Sequence, residues 1–314
     1  MKAVVQRRYG SAALGELPVP VPGRGEVLLE VRAAGVDMGT WHLLTGKPYL
    51  VRAVGFGLRA PKSPVLGRDV SGVVTETGPG VTEFEPGDEV FGTCGGAFAE
   101  YAVAPVAQLA RKPAGLSFAQ AAAVPISGGT ALQGLRGVQA GQRVAVLGAG
   151  GGVGSYGVQI ARALGAHVTG VCSTGKVDLV RSLGADEVVD YTVADFTGTY
   201  DLILDCGGNR RLSLLRKALT PRGTLVLVGA ETGAPLTGGF ERALHAAALN
   251  LFVSQKLLPL MSAERGDVFD ELRVLIEAGA VTPAVEREFP LSEALDAVDH
   301  VHSRRSRGKV VVTI

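Results

Sequence analysis

A short aliphatic run, Val144-Ala145-Val146-Leu147, leads straight into Gly148-Ala149-Gly150-Gly151-Gly152-Val153-Gly154. The chemistry that this spacing offers is the holding of a phosphate. Glycine at the strand end permits a tight turn, a middle glycine lets backbone N–H groups approach an anion, and Gly154 lets the following helix lie close to its strand. The helix start adds unpaired N–H groups and partial positive charge. Gly148, Gly151, Gly152, Val153 and Gly154 are therefore the expected contacts of a pyrophosphate. The context supports a dinucleotide: a buried strand comes before, and a helix over about 153–164 carries one apolar face (Val153, Tyr156, Ile160, Ala161, Leu164). A second strand, Val168–Cys172, follows at the expected distance.

The end of that second strand decides which dinucleotide is expected. NAD sites place Asp or Glu there to hold the ribose 2′-hydroxyl. This chain reads Val171-Cys172-Ser173-Thr174-Gly175-Lys176, with hydroxyls and a lysine but no carboxylate. A 2′-phosphate calls for donors and positive charge, and an acid would repel it. Ser173 and Lys176 are assigned to that phosphate, Tyr191 after the third strand is a third candidate, and NADPH is the expected cofactor.

These residues must be positioned by a doubly wound parallel sheet. From Arg143 onward strands and helices alternate, with strands at Val144–Leu147, Val168–Cys172, Glu187–Val189, Leu202–Asp205 and Thr224–Val228. The first hundred residues read differently. Short β-branched runs (Lys2–Arg8, Glu26–Ala34, Asp69–Thr77, Asp88–Phe91, Phe98–Val103) are broken by Pro/Gly turns, which predicts a small barrel or sandwich. After residue 260, an amphipathic helix with Phe269, Leu272, Leu275 and Ile276, another near 291–301 and a last strand, Lys309–Ile314, return the chain to the β-rich part. The fold class is α/β, with a β-rich domain over 1–115 completed by about 257–314 and a Rossmann domain over 116–256.

Thirty-one Lys+Arg against 30 Asp+Glu give a net charge of +1, which offers no basic footprint for nucleic acid and no membrane patch. The N-terminus lacks the pattern of a secretory leader, and no apolar run is long enough to span a bilayer. Cys94, Cys172 and Cys206 are too scattered for a disulfide framework. A cytoplasmic protein with a small-molecule substrate is expected.

With these residues in hand, the chain resembles the medium-chain dehydrogenase/reductase superfamily in its zinc-independent quinone oxidoreductase branch. The likeness runs through Ala34-Gly35-Val36-Asp37, Val65-Leu66-Gly67-Arg68-Asp69-Val70-Ser71-Gly72, Gly87-Asp88-Glu89-Val90-Phe91-Gly92, Gly128-Gly129-Thr130-Ala131-Leu132 and Gly308-Lys309-Val310-Val311. It implies that the β-rich part is GroES-like and catalytic, and that the nicotinamide lies between it and the Rossmann domain. It also implies that Thr130, Val228, Gly229, Ala230, Phe252 and Val253 line the nicotinamide, with Leu251 in the same segment, and that homodimers form. Ser173, Lys176 and Tyr191 match the branch's NADPH-phosphate positions.

Zinc-dependent relatives carry Cys at the position of Asp37, His and Glu at Arg68 and Asp69, and Cys or Asp near Ile126; no zinc is expected here. Without a Lewis acid, acceptors already activated toward hydride are the expected substrates: quinones, enones and enals. Asp37 is expected to orient the nicotinamide or the substrate. Tyr49 is expected to stabilise or protonate an enolate. Two other readings stand beside this one: an enoyl-thioester reductase, and a low-turnover NADPH-binding sensor or structural protein.

Overall fold

The computed structural model describes residues 1–53, 57–229 and 236–314. The chain divides into two units. The first comprises Met1–Gly129, Ala263–Gly279 and Pro283–Ile314; the second comprises Thr130–Ser262 and Ala280–Thr282. The first division therefore falls after residue 129, not after 115. The helix that the sequence starts at Ser117 explains the shift: its Ala119, Ala122 and Ala123 pack with Ala33 and Val311 of the β-rich unit. The return falls at 262/263 instead of 256/257, because one more strand joins the second unit first.

In the first unit the strands are β1 (Lys2–Arg8), β2 (Ser11–Glu16), β3 (Glu26–Val36), β4 (Asp69–Thr77), β5 (Glu89–Thr93), β6 (Tyr101–Pro105) and β7 (Leu109–Arg111). Helix α1 (Met38–Thr45) lies between β3 and β4, α2 (Phe118–Ala122) follows β7, and α3 (Pro125–Gly134) begins in this unit and ends past its last residue here, Gly129. Ser117 and Gln120 form a reciprocal capping box that starts α2, the pattern that marks a helix entry in the sequence. β1 and β2 make a hairpin of their own, while β3 is the centre of a seven-stranded sheet. Its apolar face (Val27, Leu29, Val31) joins Phe98, Val298 and Val312 in one core.

The second unit holds β8 (Arg143–Leu147), α4 (Gly152–Ala163), β9 (His167–Cys172), α5 (Val177–Ser182), β10 (Glu187–Asp190), β11 (Tyr200–Asp205), α6 (Leu212–Lys217), β12 (Leu219–Leu227), α7 (Phe240–Leu249) and β13 (Lys256–Pro259). Its six strands are all parallel, in the order β10-β9-β8-β11-β12-β13. This is the Rossmann order, and the winding reverses between β8 and β11, where ligands of such sheets bind. Ala145, Ile203, Leu215 and Leu225 are among the side chains of its core.

The chain then returns to the first unit through α8 (Gly266–Glu277), β14 (Val285–Pro290), α9 (Ala294–His302) and β15 (Lys309–Thr313). β15 pairs antiparallel with β3 and parallel with β14. Phe269, Leu272 and Ile276 of α8 are buried, as their spacing predicts. Among the described residues, no helix is long and apolar enough to cross a membrane.

Candidate functional site

The glycine turn lies at the carboxyl end of β8. Gly148 has φ 76°, a left-handed conformation that glycine adopts without strain. Its N–H and that of Ala149 both donate to the Val171 carbonyl at 3.0 Å, which anchors the turn to β9. The Cys206 N–H donates to the Leu147 carbonyl at 3.1 Å, joining the ends of β8 and β11 at the switch point. Gly151 caps α4 with no side-chain acceptor, so the first amides of the helix, those of Gly152, Val153 and Gly154, point outward without an intrahelical partner. A Cβ on Gly154 would stand 2.1 Å from the Gly148 carbonyl oxygen, so turn and helix are in backbone contact there. This is a cradle of N–H groups suited to a pyrophosphate.

Ser173 begins the turn after β9, and the Lys176 N–H donates to the Ser173 carbonyl at 2.9 Å. The stem of Lys176 covers Gly150: a Cβ on that glycine would meet the Lys176 Cβ at 2.7 Å. The turn thus has a lysine folded over it. Tyr191 is tied to the same place through its N–H, which donates to the Cys172 carbonyl at 3.1 Å, with its side chain half exposed. Ser173, Lys176 and Tyr191 are therefore brought together beside the glycine turn.

Sequence reasoning passed over the acid that is next to them. Asp190 ends β10 opposite Cys172, and its Oδ1 accepts the Thr192 N–H at 2.9 Å and the Thr192 hydroxyl at 2.7 Å. Hydrogen bonds from Thr174 and Thr192 hold its carboxyl below the usual range, so it is charged.

Val228 and Gly229 follow β12, and both their N–H groups donate to the Asp205 carbonyl at 3.1 Å. Asp205 is fully buried, forms an ion pair with Arg242 at 2.5 Å and accepts the Gly208 N–H at 3.0 Å. Arg242 also donates to the Arg210 carbonyl at 3.0 Å. This pair, 37 residues apart and invisible as a motif, fixes the ends of β11 and β12 beside the glycine turn. Ala230 lies outside the described residues.

Thr130 is buried, with its hydroxyl 2.9 Å from that of Ser262. Phe252 and Val253 are not near it. They precede β13, whose Lys256 pairs with Thr224 and whose Pro259 pairs with Leu227 at the carboxyl end. Their neighbours Ser254 and Gln255 bond to the Pro221 and Thr220 carbonyls, at the amino end of β12. Phe252 is 82% exposed. The expectation that Leu251, Phe252 and Val253 line the nicotinamide is therefore corrected: they lie at the opposite edge of the sheet. The segment that reaches the carboxyl edge is Leu260-Met261-Ser262, through Leu260 N–H to Leu227 O at 2.9 Å and Ser262 to Thr130.

In the first unit, Asp37 caps α1, its Oδ1 accepting the Thr40 N–H at 2.9 Å, while its Oδ2 is buried without a hydrogen-bond partner among the described residues. Tyr49 is 45% exposed, with the Arg52 guanidinium 4.8 Å from its ring centroid. Arg52 also stacks on Tyr9 and donates to the Gly46 carbonyl at 2.8 Å.

The positions of the relatives' metal ligands are occupied by other chemistry. Arg68 pairs with Glu264. Asp69 is completely buried, accepting the Ile126 N–H at 2.8 Å and the Lys309 ammonium at 3.2 Å, and Lys309 donates to Ser127 at 3.1 Å. Burial pushes the Asp69 carboxyl up to about 7 against the pull of Lys309. Burial also raises the Cys94 thiol to about 12, so it is no thiolate. A guanidinium, an aliphatic Ile126 and an acid already engaged by an ammonium do not fit a catalytic zinc, which needs three good ligands.

Residues 23–114 match the alcohol dehydrogenase GroES-like domain, and residues 183–312 match the zinc-binding dehydrogenase family. The chain is 31% identical over 338 aligned positions to a chloroplast envelope quinone oxidoreductase homolog of Arabidopsis thaliana, covering 99% of this chain and 98% of the relative. The chain belongs to the medium-chain dehydrogenase/reductase superfamily, in its quinone oxidoreductase-like branch. A second Arabidopsis thaliana relative, the chloroplastic NADPH-dependent alkenal/one oxidoreductase, is 32% identical over 99% of this chain and 79% of its own length. Among solved structures, the quinone oxidoreductase from Coxiella burnetii superposes with a TM-score of 0.85 at 26% identity, covering 100% of this chain and 99% of that one. As a medium-chain reductase the protein is a pyridine-nucleotide-dependent oxidoreductase with a GroES-like and a Rossmann domain.

Proposed function

We propose that this medium-chain reductase uses NADPH to reduce quinones or α,β-unsaturated carbonyl compounds without a metal ion. The observation that carries the cofactor reading is the turn after β9. It carries Ser173 and Lys176, the stem of Lys176 lying against Gly150 of the cradle, with no carboxylate on that turn. A 2′-phosphate is recognised by such donors. The charged Asp190 is one strand further on and is already engaged by Thr192.

When bound, the reduced nicotinamide supplies the hydride. The protein's part is to bind, orient and exclude water. The Gly148–Gly154 backbone and the start of α4 hold the pyrophosphate, and Asp205 with Arg242 keeps the neighbouring strand ends in place. Asp37 offers its unpartnered Oδ2 as an acceptor for a donor group brought by cofactor or substrate. Tyr49 offers an exposed phenol as a proton source near α1. Names of relatives that act on quinones and alkenals support the same acceptor class.

Lys176→Ala tests the reading. Loss of a charge-assisted hydrogen bond is worth about 1.5–3 kcal/mol, so NADPH should bind roughly 10- to 100-fold more weakly. Binding of NADH should change by less than about twofold. Titration of both cofactors by fluorescence checks this, and equal losses would overturn the assignment. Turnover by the wild-type protein with enoyl thioesters but neither quinones nor enones would move the acceptor class.

A further inference from the structure

Hydride addition to an enone drives an electron pair onto its carbonyl oxygen. In metal-dependent enzymes a cation meets that charge. The first unit holds a cation that nothing so far employs. Arg68 immediately precedes β4, with its side chain 34% exposed and its partner Glu264 18% exposed. Among the described residues, its side chain makes a single hydrogen bond, from Nη2 to Glu264; Nη1 and Nε are left with open N–H donors. The main chain of Arg68 is fixed as well, its carbonyl accepting the Cys94 N–H at 2.9 Å.

The surroundings favour a fixed electrophile over a mobile surface arginine. Cys94 and Thr93 beside it are buried, and the field of Arg68 reaches both Cys94 and Glu264. The field of Asp37 reaches Glu264 and Asp69. The unpartnered Asp37 Oδ2 therefore belongs to the same group of charges as the open guanidinium. Lys309 already compensates Asp69, so Glu264 is the acid that engages Arg68. A guanidinium keeps its charge at every working pH, and a carboxylate on one edge restricts its rotation while leaving other donors free.

We propose that Arg68 is a catalytic residue, donating N–H to the carbonyl oxygen of the acceptor as the hydride arrives, with Glu264 as its positioning residue. The inference rests on the reductase reading above. A bound reduced nicotinamide would supply hydride to the β-carbon, becoming oxidised, and the C=C electron pair would shift to form the enolate. Arg68 holds the enolate oxygen. A proton, delivered from water through the Tyr49 phenol, then adds to the α-carbon to give the saturated ketone. With a quinone the same donor meets the phenolate oxygen, a much weaker base that needs less help.

This difference makes the test specific. Wild type, Arg68→Gln and Arg68→Lys are compared for kcat/KM with methyl vinyl ketone and with a benzoquinone, alongside cofactor affinity by fluorescence. Removing one such donor costs about 10²–10³-fold. Arg68→Gln should lose that on the enone and less than about tenfold on the quinone, with cofactor affinity unchanged. Arg68→Lys should recover part of the enone rate, and it keeps the test decisive where Arg68→Gln does not fold. Equal losses on both acceptors, or none, would overturn the role of Arg68 and leave the reductase reading intact. Absence of NADPH oxidation by wild type with either acceptor would overturn both.

Discussion

Lys309→Met should destabilise the protein by about 3–5 kcal/mol at pH 8, the cost of removing one partner of a buried ion pair so that the other must stay charged alone or take up a proton. The ammonium of Lys309 is 1% exposed and the Asp69 carboxylate is fully buried. Folded Asp69 keeps its proton up to about 7, against about 3.9 in an unfolded chain. Its contribution to stability is therefore fully present below about pH 4 and is lost as the pH rises through about 7. Without Lys309 the main attraction that opposes burial is gone, and Asp69 holds its proton to still higher pH. The deficit of the variant should be smaller at pH 5, where Asp69 is protonated in both proteins, and should widen toward pH 8. Urea unfolding at the two pH values measures this. A deficit independent of pH would show that Asp69 is not the group left behind, and Asp69→Asn in the same background should remove the pH dependence.

Gly154→Val should abolish cofactor binding, with affinity lowered more than about 100-fold, as the loss of two or more hydrogen bonds to a charged pyrophosphate implies. The contact that forbids a side chain is with backbone: 2.1 Å to the Gly148 oxygen and 2.8 Å to the Ala149 Cα. Neither can give way without moving α4 from the turn. Gly151→Ala provides the contrast, since its added methyl would meet only the Gly148 oxygen at 3.3 Å. Calorimetric titration of both variants should separate them widely, and similar affinities would dissociate the cradle from cofactor binding.

The glycine turn was legible in the sequence because everything that defines it is local. Strand, turn and helix are contiguous, and Gly148, Gly151 and Gly154 each answer a backbone contact that the structure displays. The position of Ser173 and Lys176 on the turn after β9 was legible for the same reason. The error at Phe252 and Val253 has a physical origin. β13 is only four residues long, Lys256-Leu257-Leu258-Pro259, with one of them buried, and so short a strand gives almost no alternation to read. Without it, the apolar Leu251-Phe252-Val253 attracted the assignment one strand too early. Asp205 with Arg242, and Arg68 with Glu264, were out of reach because ion pairs 37 and 196 residues apart leave no spacing signature. Arg68 could be recognised as no metal ligand, but only the structure shows the carboxylate that holds it.

The first unit is assembled from segments that lie on either side of the second, and its central strand β3 is flanked by β15, the last strand of the chain. During synthesis the intervening 133 residues of Thr130–Ser262 emerge before that strand does. All six strands of the parallel sheet are then available, and its core can form while the β-rich sheet still lacks one neighbour of β3. Until β15 pairs with β3, Asp69 lacks the Lys309 ammonium that meets it in the folded protein, and β3 presents an unpaired edge. The parallel-sheet half can thus become native first, and the half carrying Arg68 and Asp37 gains β15 only afterwards.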